Sequence, residues 1–132
     1  MTLTIKELIK ICEKKERKDW GFLVNKFYRP VSWYFVLLLV KTRISANQVT
    51  LISIIIGLFG SFCFISSDPI ISFCGSILLF LWFIAECCDG SVARYRNVKE
   101  GKPFTKFGRY IDWLNIRIVS NTLFCCIVLN QF

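Results

Sequence analysis

A chain of 132 residues that is 55% hydrophobic, with no histidine and only three prolines, reads as a membrane protein rather than a soluble domain. Its net charge of +8 comes from 17 Lys and Arg against nine Asp and Glu, yet the basic residues flank apolar runs instead of forming a soluble patch, which argues against a nucleic-acid partner. Seven cysteines without CxxC spacing or histidine partners argue against a zinc site or a disulfide framework, and the five at Cys63, Cys74, Cys88, Cys125 and Cys126 are expected to be small buried apolar residues.

Residues 1–43 are expected to lie in the membrane interface as amphipathic helices. Thr4 with Glu7 makes a capping box, and Ile5, Leu8, Ile9 and Cys12 recur at helical spacing opposite Lys6, Lys10, Lys14 and Lys18. Pro30 opens an apolar run to Val40 that is too short to cross a bilayer. Trp20, Tyr28, Trp33 and Tyr34 are expected at headgroup level, with the lysines beside anionic lipid. No charged leader, apolar run and cleavage site occur in the order of a secretory signal.

Three apolar stretches follow, each near the ~20 residues a transmembrane helix needs. The first carries no charge from Ile44 to Ser67, and Ser45 or Asn47 suits its start as a helix cap. The second runs from Pro69 to Ala85, and the third from Ile111 to Phe132 with Asp112 and Arg117 only near its beginning. The predicted spans are 44–67, 69–88 and 108–132 in a single membrane domain of 1–132. The fold class is therefore all-α, a polytopic membrane helical bundle with N-terminal interfacial amphipathic helices. Along the first span, Ser53, Gly57 and Ser61 form a small-residue stripe, suited to close packing within the chain or to a homodimer.

Charge orients the spans. Ten of the 17 Lys and Arg lie between Lys6 and Arg43, and Arg94, Arg96, Lys99, Lys102 and Lys106 cluster in the second connection, whereas the first connection is the short SSDP around Asp68. The positive-inside tendency puts the N-terminus and the 94–106 connection in the cytoplasm.

The chemistry is concentrated in two segments, ECCDGSVAR from Glu86 to Arg94 and KFGRYIDWLN from Lys106 to Asn115. Glu86 and Asp89 share a helix face with Ala93, and Gly108, Asp112 and Ile116 recur every four residues as a stripe on the next helix. Helices meeting on those faces converge three carboxylates, which a hard cation such as Mg²⁺ would take together with a substrate's phosphates. Gly90 lets a substrate approach the backbone, and Arg94 offers a planar fork for phosphate. The alternative is an interfacial salt-bridge network of the acids with Arg94, Arg109 or Arg117.

These residues resemble the signature of the CDP-alcohol phosphatidyltransferases. That signature is two Asp separated by two residues, the first of them replaced here by Glu, then Gly, two residues and Ala-Arg, a spacer, then Gly, three residues, Asp, three residues and a last Asp. Asp89, Gly90, Ala93, Arg94, Gly108 and Asp112 match it, with Glu86 at the first acid. The stretch TRISANQVTLISIIIGLFG from Thr42 is similar to the start of the family's first membrane helix, with Ala46 in place of its usual Pro. The last acid falls at Ile116, with Asn115 one residue out of register, and the spacer from Tyr95 to Phe107 is longer than usual.

The resemblance implies a membrane enzyme of phospholipid biosynthesis. It would move a phosphate-linked group from a CDP-activated lipid or alcohol to a hydroxyl acceptor, releasing CMP. Two divalent ions, Mg or Mn, are implied on Glu86, Asp89 and Asp112, and substrate contacts at Thr50, Gly90, Ala93, Arg94 and Gly108. No catalytic base is assigned, because its expected position is Ile116. The other reading is a catalytically impaired relative that binds CDP-lipid or metal and modulates a partner. The family's enzymes have a larger bundle, so the cavity is expected to be completed by further sequence or by a second chain.

Overall fold

The computed structural model describes residues 5–12, 24–42, 44–101, 103 and 105–131, which form five α-helices with no strand among them. These are α1 (Ile5–Cys12), α2 (Arg29–Lys41), α3 (Ala46–Phe62), α4 (Pro69–Glu100) and α5 (Lys106–Asn130). Their starts are locally encoded. Pro30 sits in the first turn of α2, where its missing N–H costs nothing. Ser45 and Gln48 form a capping box on α3, with the Ser45 hydroxyl accepting the Gln48 N–H at 3.3 Å and the Gln48 side chain accepting the Ser45 N–H at 2.8 Å. Asp68 caps α4 through the Ile70 N–H at 2.9 Å, and Thr105 caps α5 through the Gly108 N–H at 3.0 Å. At the end of α4, Gly101 takes the left-handed conformation, φ 64°, that stops a helix.

Ala46–Ile65, Pro69–Glu100 and Lys106–Asn130 are long and apolar enough to cross a membrane, so this is an all-α, multi-pass membrane protein. Phe59, Phe73 and Phe124 stand exposed on the outer faces, as expected of helices in lipid. The second span differs from the expected 69–88. It continues as one helix through Arg94, Arg96 and Lys99 to Glu100, and the connection to α5 is only 101–105. No proline interrupts it, and Gly90 inside a helix costs only about 1 kcal/mol against alanine. At ~1.5 Å per residue α4 is ~48 Å long, beyond the ~30 Å of a hydrocarbon core, so its last turns project past the apolar layer.

The N-terminal helices pack on α4 between Ile84 and Val92, where its apolar run gives way to that projection. Leu8 and Cys12 of α1 are fully buried with Trp33 and Val36 of α2 and with Ile84, Cys88 and Val92 of α4. The apolar stripe of α1 is thus spent on protein, not lipid. Trp33 and Tyr28, expected at headgroup level, also turn inward: Trp33 is buried, and the Tyr28 ring lies 4.7 Å from Phe83 and 5.3 Å from Phe80. Tyr34 remains exposed. Thr4, Lys14, Lys18 and Trp20 lie outside the described residues.

The small-residue stripe is consumed inside the chain. A Cβ on Gly57 would come 2.6 Å from Val119 and 2.9 Å from Trp82, and Ser53 and Ser61 are fully buried. It is therefore closed to a second copy. Cys88 and Cys126 are buried as expected, Cys63 partly so, but Cys74 and Cys125 lie on the exposed outer faces. The start of α3, the end of α4 and the start of α5 gather at one end of the bundle, while at the other the Ser67 hydroxyl donates to Asn130 at 2.9 Å.

Candidate metal and phosphate site

A cavity of about 650 Å³ opens where α3, α4 and α5 converge. Asp89 and Asp112 line one side of its chemistry; Arg94, Arg96 and Arg109 supply the opposite charge, and the first residues of α3 and α5 complete the wall. Helix N-termini carry unpaired N–H groups and a partial positive charge, so both are suited to phosphate oxygens.

One carboxylate oxygen each from Glu86, Asp89 and Asp112 lies within 4.8 Å of the others. Asp89 is buried, and its Oδ2 accepts the Thr50 hydroxyl at 2.9 Å, which orients it from α3. Among the described residues none of the three acids pairs with Arg94, Arg109 or Arg117, whereas Arg96 pairs with Glu100 at 3.7 Å. A salt-bridge network as the purpose of the acids loses its partners.

The sequence-derived candidates fall in three groups. Thr50, Asp89, Gly90, Ala93, Arg94, Gly108 and Asp112 all line the cavity. Glu86 belongs to the acid triad but sits behind the lining, and Ile116 is 48% exposed on the outer face of α5. The residue that reaches the acids from one turn beyond Asp112 is Asn115, fully buried and donating to Glu86 through its amide. The expected stripe of every fourth residue is corrected here, because α5 buries Asn115, Val119 and Cys126.

Individual roles are also sharper than the spacing implied. A Cβ on Gly90 would meet nothing nearer than Arg94 Nη1 at 3.5 Å, so the cavity wall is open there. Gly108 does the opposite: a Cβ would come 2.9 Å from Asn47 Oδ1, so glycine is what lets α5 approach the start of α3. Arg94 is anchored, with Nε donating to the Cys12 carbonyl at 2.9 Å and Nη2 to the Ser91 hydroxyl at 3.0 Å. That contact closes the last turn of α1, and burial pushes the Cys12 thiol up despite the opposing pull of the Arg94 cation.

Sequence reasoning missed Arg96 and Asn115 as structural organisers. Arg96 Nη2 donates to the carbonyls of Thr42 at 3.2 Å and Ile44 at 2.6 Å, pinning the α2–α3 connection to α4. Its only local signal was its place among the cations after the acids. No protein-family model matches the sequence, and no curated protein matches it significantly.

Proposed function

We propose that this chain is a membrane protein of the CDP-alcohol phosphatidyltransferase type, which takes a CDP-activated lipid or alcohol and passes a phosphate-linked group to a hydroxyl acceptor in phospholipid biosynthesis. The observation that carries the reading is that one cavity is lined both by acids and by arginines with two helix N-termini. A cation on the first and a diphosphate on the second would each neutralise charge that is costly at membrane depth.

The donor set fits Mg²⁺ or Mn²⁺, which prefer carboxylate oxygens, and the oxygens of Glu86, Asp89 and Asp112 converge without a thiol or imidazole among them. Those three residues would hold the metal, two ions by the resemblance; bound there, it supplies charge neutralisation for the diphosphate and the departing CMP. Arg94 and Arg109 with the starts of α3 and α5 receive phosphate oxygens. Gly90 and Ala93 keep the wall low, and Thr50 holds Asp89 in place.

Isothermal titration calorimetry on the detergent-solubilised chain tests this. Asp89→Asn should abolish Mg²⁺- or Mn²⁺-dependent retention of a CDP-lipid. Equal binding by wild type and variant, or binding indifferent to metal, would sink the reading.

A second reading is favoured by one observation. The acceptor hydroxyl must lose a proton, and the acids in the cavity lining are Asp89 and Asp112, both committed to metal, while Ile116 is a hydrocarbon facing outward. General-base catalysis contributes about 10²- to 10⁴-fold, so a chain lacking a free base turns over slowly. This suits a relative that binds CDP-lipid or metal and modulates a partner enzyme. Metal-dependent binding without CMP release from the purified chain selects it; steady CMP release selects the enzyme.

The distribution of Lys and Arg supports an orientation with the N-terminus and the cavity in the cytoplasm. A cysteine label at position Lys99 should be reached only from the cytosolic side and one at Ser67 only from the other. Both reached from one side would overturn the orientation.

A further inference from the structure

Behind the acids lies a buried hydrogen-bond relay whose centre is Asn115, and its assignment rests on the metal reading of the site. Asn115 is 0% exposed and joins all three spanning helices. Its Oδ1 accepts from Trp82 Nε1 of α4 at 3.1 Å, while its Nδ2 donates to Ser53 of α3 at 2.6 Å and to Glu86 Oε1 of α4.

The direction of this relay follows from donor chemistry. An indole N–H can only donate, so the amide oxygen of Asn115 must face Trp82 and the NH₂ must face the other way. Ser53 spends its single hydroxyl proton on the Thr50 carbonyl at 2.7 Å, so towards Asn115 it can only accept. Both partners fix the same amide orientation. Its remaining donor can end only on the Glu86 carboxylate.

We infer that Asn115 is a positioning residue, which tethers one oxygen of Glu86 so that this carboxylate joins Asp89 and Asp112 as a ligand for a divalent cation. Glu86 needs such a tether more than its neighbours do. Asp89 is held by Thr50, whereas among the described residues the hydrogen bond given to the Glu86 carboxylate comes from Asn115. A glutamate left free samples several rotamers, and a partner that orients a ligating carboxylate typically accounts for about 10- to 100-fold in metal affinity.

The test uses the full chain in detergent, with Mn²⁺ binding read by electron paramagnetic resonance and metal-free thermal unfolding read separately. Asn115→Leu, close in volume, should weaken Mn²⁺ by about 10- to 100-fold. Trp82→Phe removes one of the two contacts that fix the amide and should weaken it less. In a Glu86→Gln background neither change should weaken Mn²⁺ further, since the tether then has no ligand to hold. Wild-type Mn²⁺ affinity in Asn115→Leu, even with a lowered unfolding midpoint, overturns the assignment while leaving the metal reading intact. The same additional loss in the Glu86→Gln background also overturns it. If Asn115→Leu does not fold, Trp82→Phe decides, and unchanged affinity there overturns the assignment. Failure of the wild type to bind Mn²⁺ removes the metal reading and this inference together.

Discussion

The three spanning helices meet twice, and the two meetings are built differently. Near the cavity they are joined by side-chain hydrogen bonds: Thr50 to Asp89, and Asn115 to Ser53, Glu86 and Trp82. Farther along they are joined by absent side chains. Gly57 lies under Val119 and Trp82, and a Cβ on Gly75 would come 2.8 Å from the Gly60 carbonyl oxygen and 2.7 Å from Cys63. Interhelical hydrogen bonds in membranes contribute only about 0.6 kcal/mol on average, whereas ionisable groups there are costly. The glycine half therefore holds the bundle, whereas the polar half, on the proposed reading, is kept for the metal and phosphate it would bind. Stability and binding should separate by mutation along this line.

The largest expected effect is in the glycine half. Gly75→Leu drives a side chain against backbone, which cannot give way as a flexible side chain would, so overpacking at the upper end of about 1–3 kcal/mol or beyond is expected. Thermal unfolding in detergent should show a clearly lower midpoint. A variant as stable as wild type would break the contrast between the halves.

Asp89→Asn comes next and sharpens the same contrast. It should eliminate metal-dependent CDP-lipid retention, yet leave the unfolding midpoint close to wild type because Thr50 can still donate to the amide oxygen. A collapse in stability matching that of Gly75→Leu would show the polar half to be structural after all.

Arg94→Lys is milder. It keeps the charge but loses the fork that reaches the Cys12 carbonyl and Ser91, so CDP-lipid should bind about tenfold more weakly, the scale of one lost charge-assisted hydrogen bond. Limited proteolysis should also cut sooner within α1. Unchanged binding would remove Arg94 from the phosphate wall.

Ile116→Asp should have the smallest effect on the site. Its side chain faces outward, so Mn²⁺ affinity and CMP release are expected to stay where they were. A rise in either would restore the every-fourth-residue stripe and contradict the burial of Asn115.

What the sequence determined by itself is local. Hydrophobic runs marked the three spans, and Ser45, Asp68 and Thr105 stand where N-caps must, each satisfying a first-turn N–H of its own helix. The spacing of Glu86 and Asp89 was enough to place them on one face, since helical geometry makes third neighbours adjacent. Tertiary structure decided which face of α5 turns inward. At 3.6 residues per turn, positions three and four beyond Asp112 lie on either side of the same line, and only packing against α3 and α4 selects Asn115 over Ile116. It also decided where α1 and α2 dock, on Ile84, Cys88 and Val92 of α4, residues that no local signal pairs with Leu8 or Trp33. Arg94 shows the limit most plainly: its carbonyl partner, Cys12, is 82 residues away in the chain, a distance that no helical period or cap can encode.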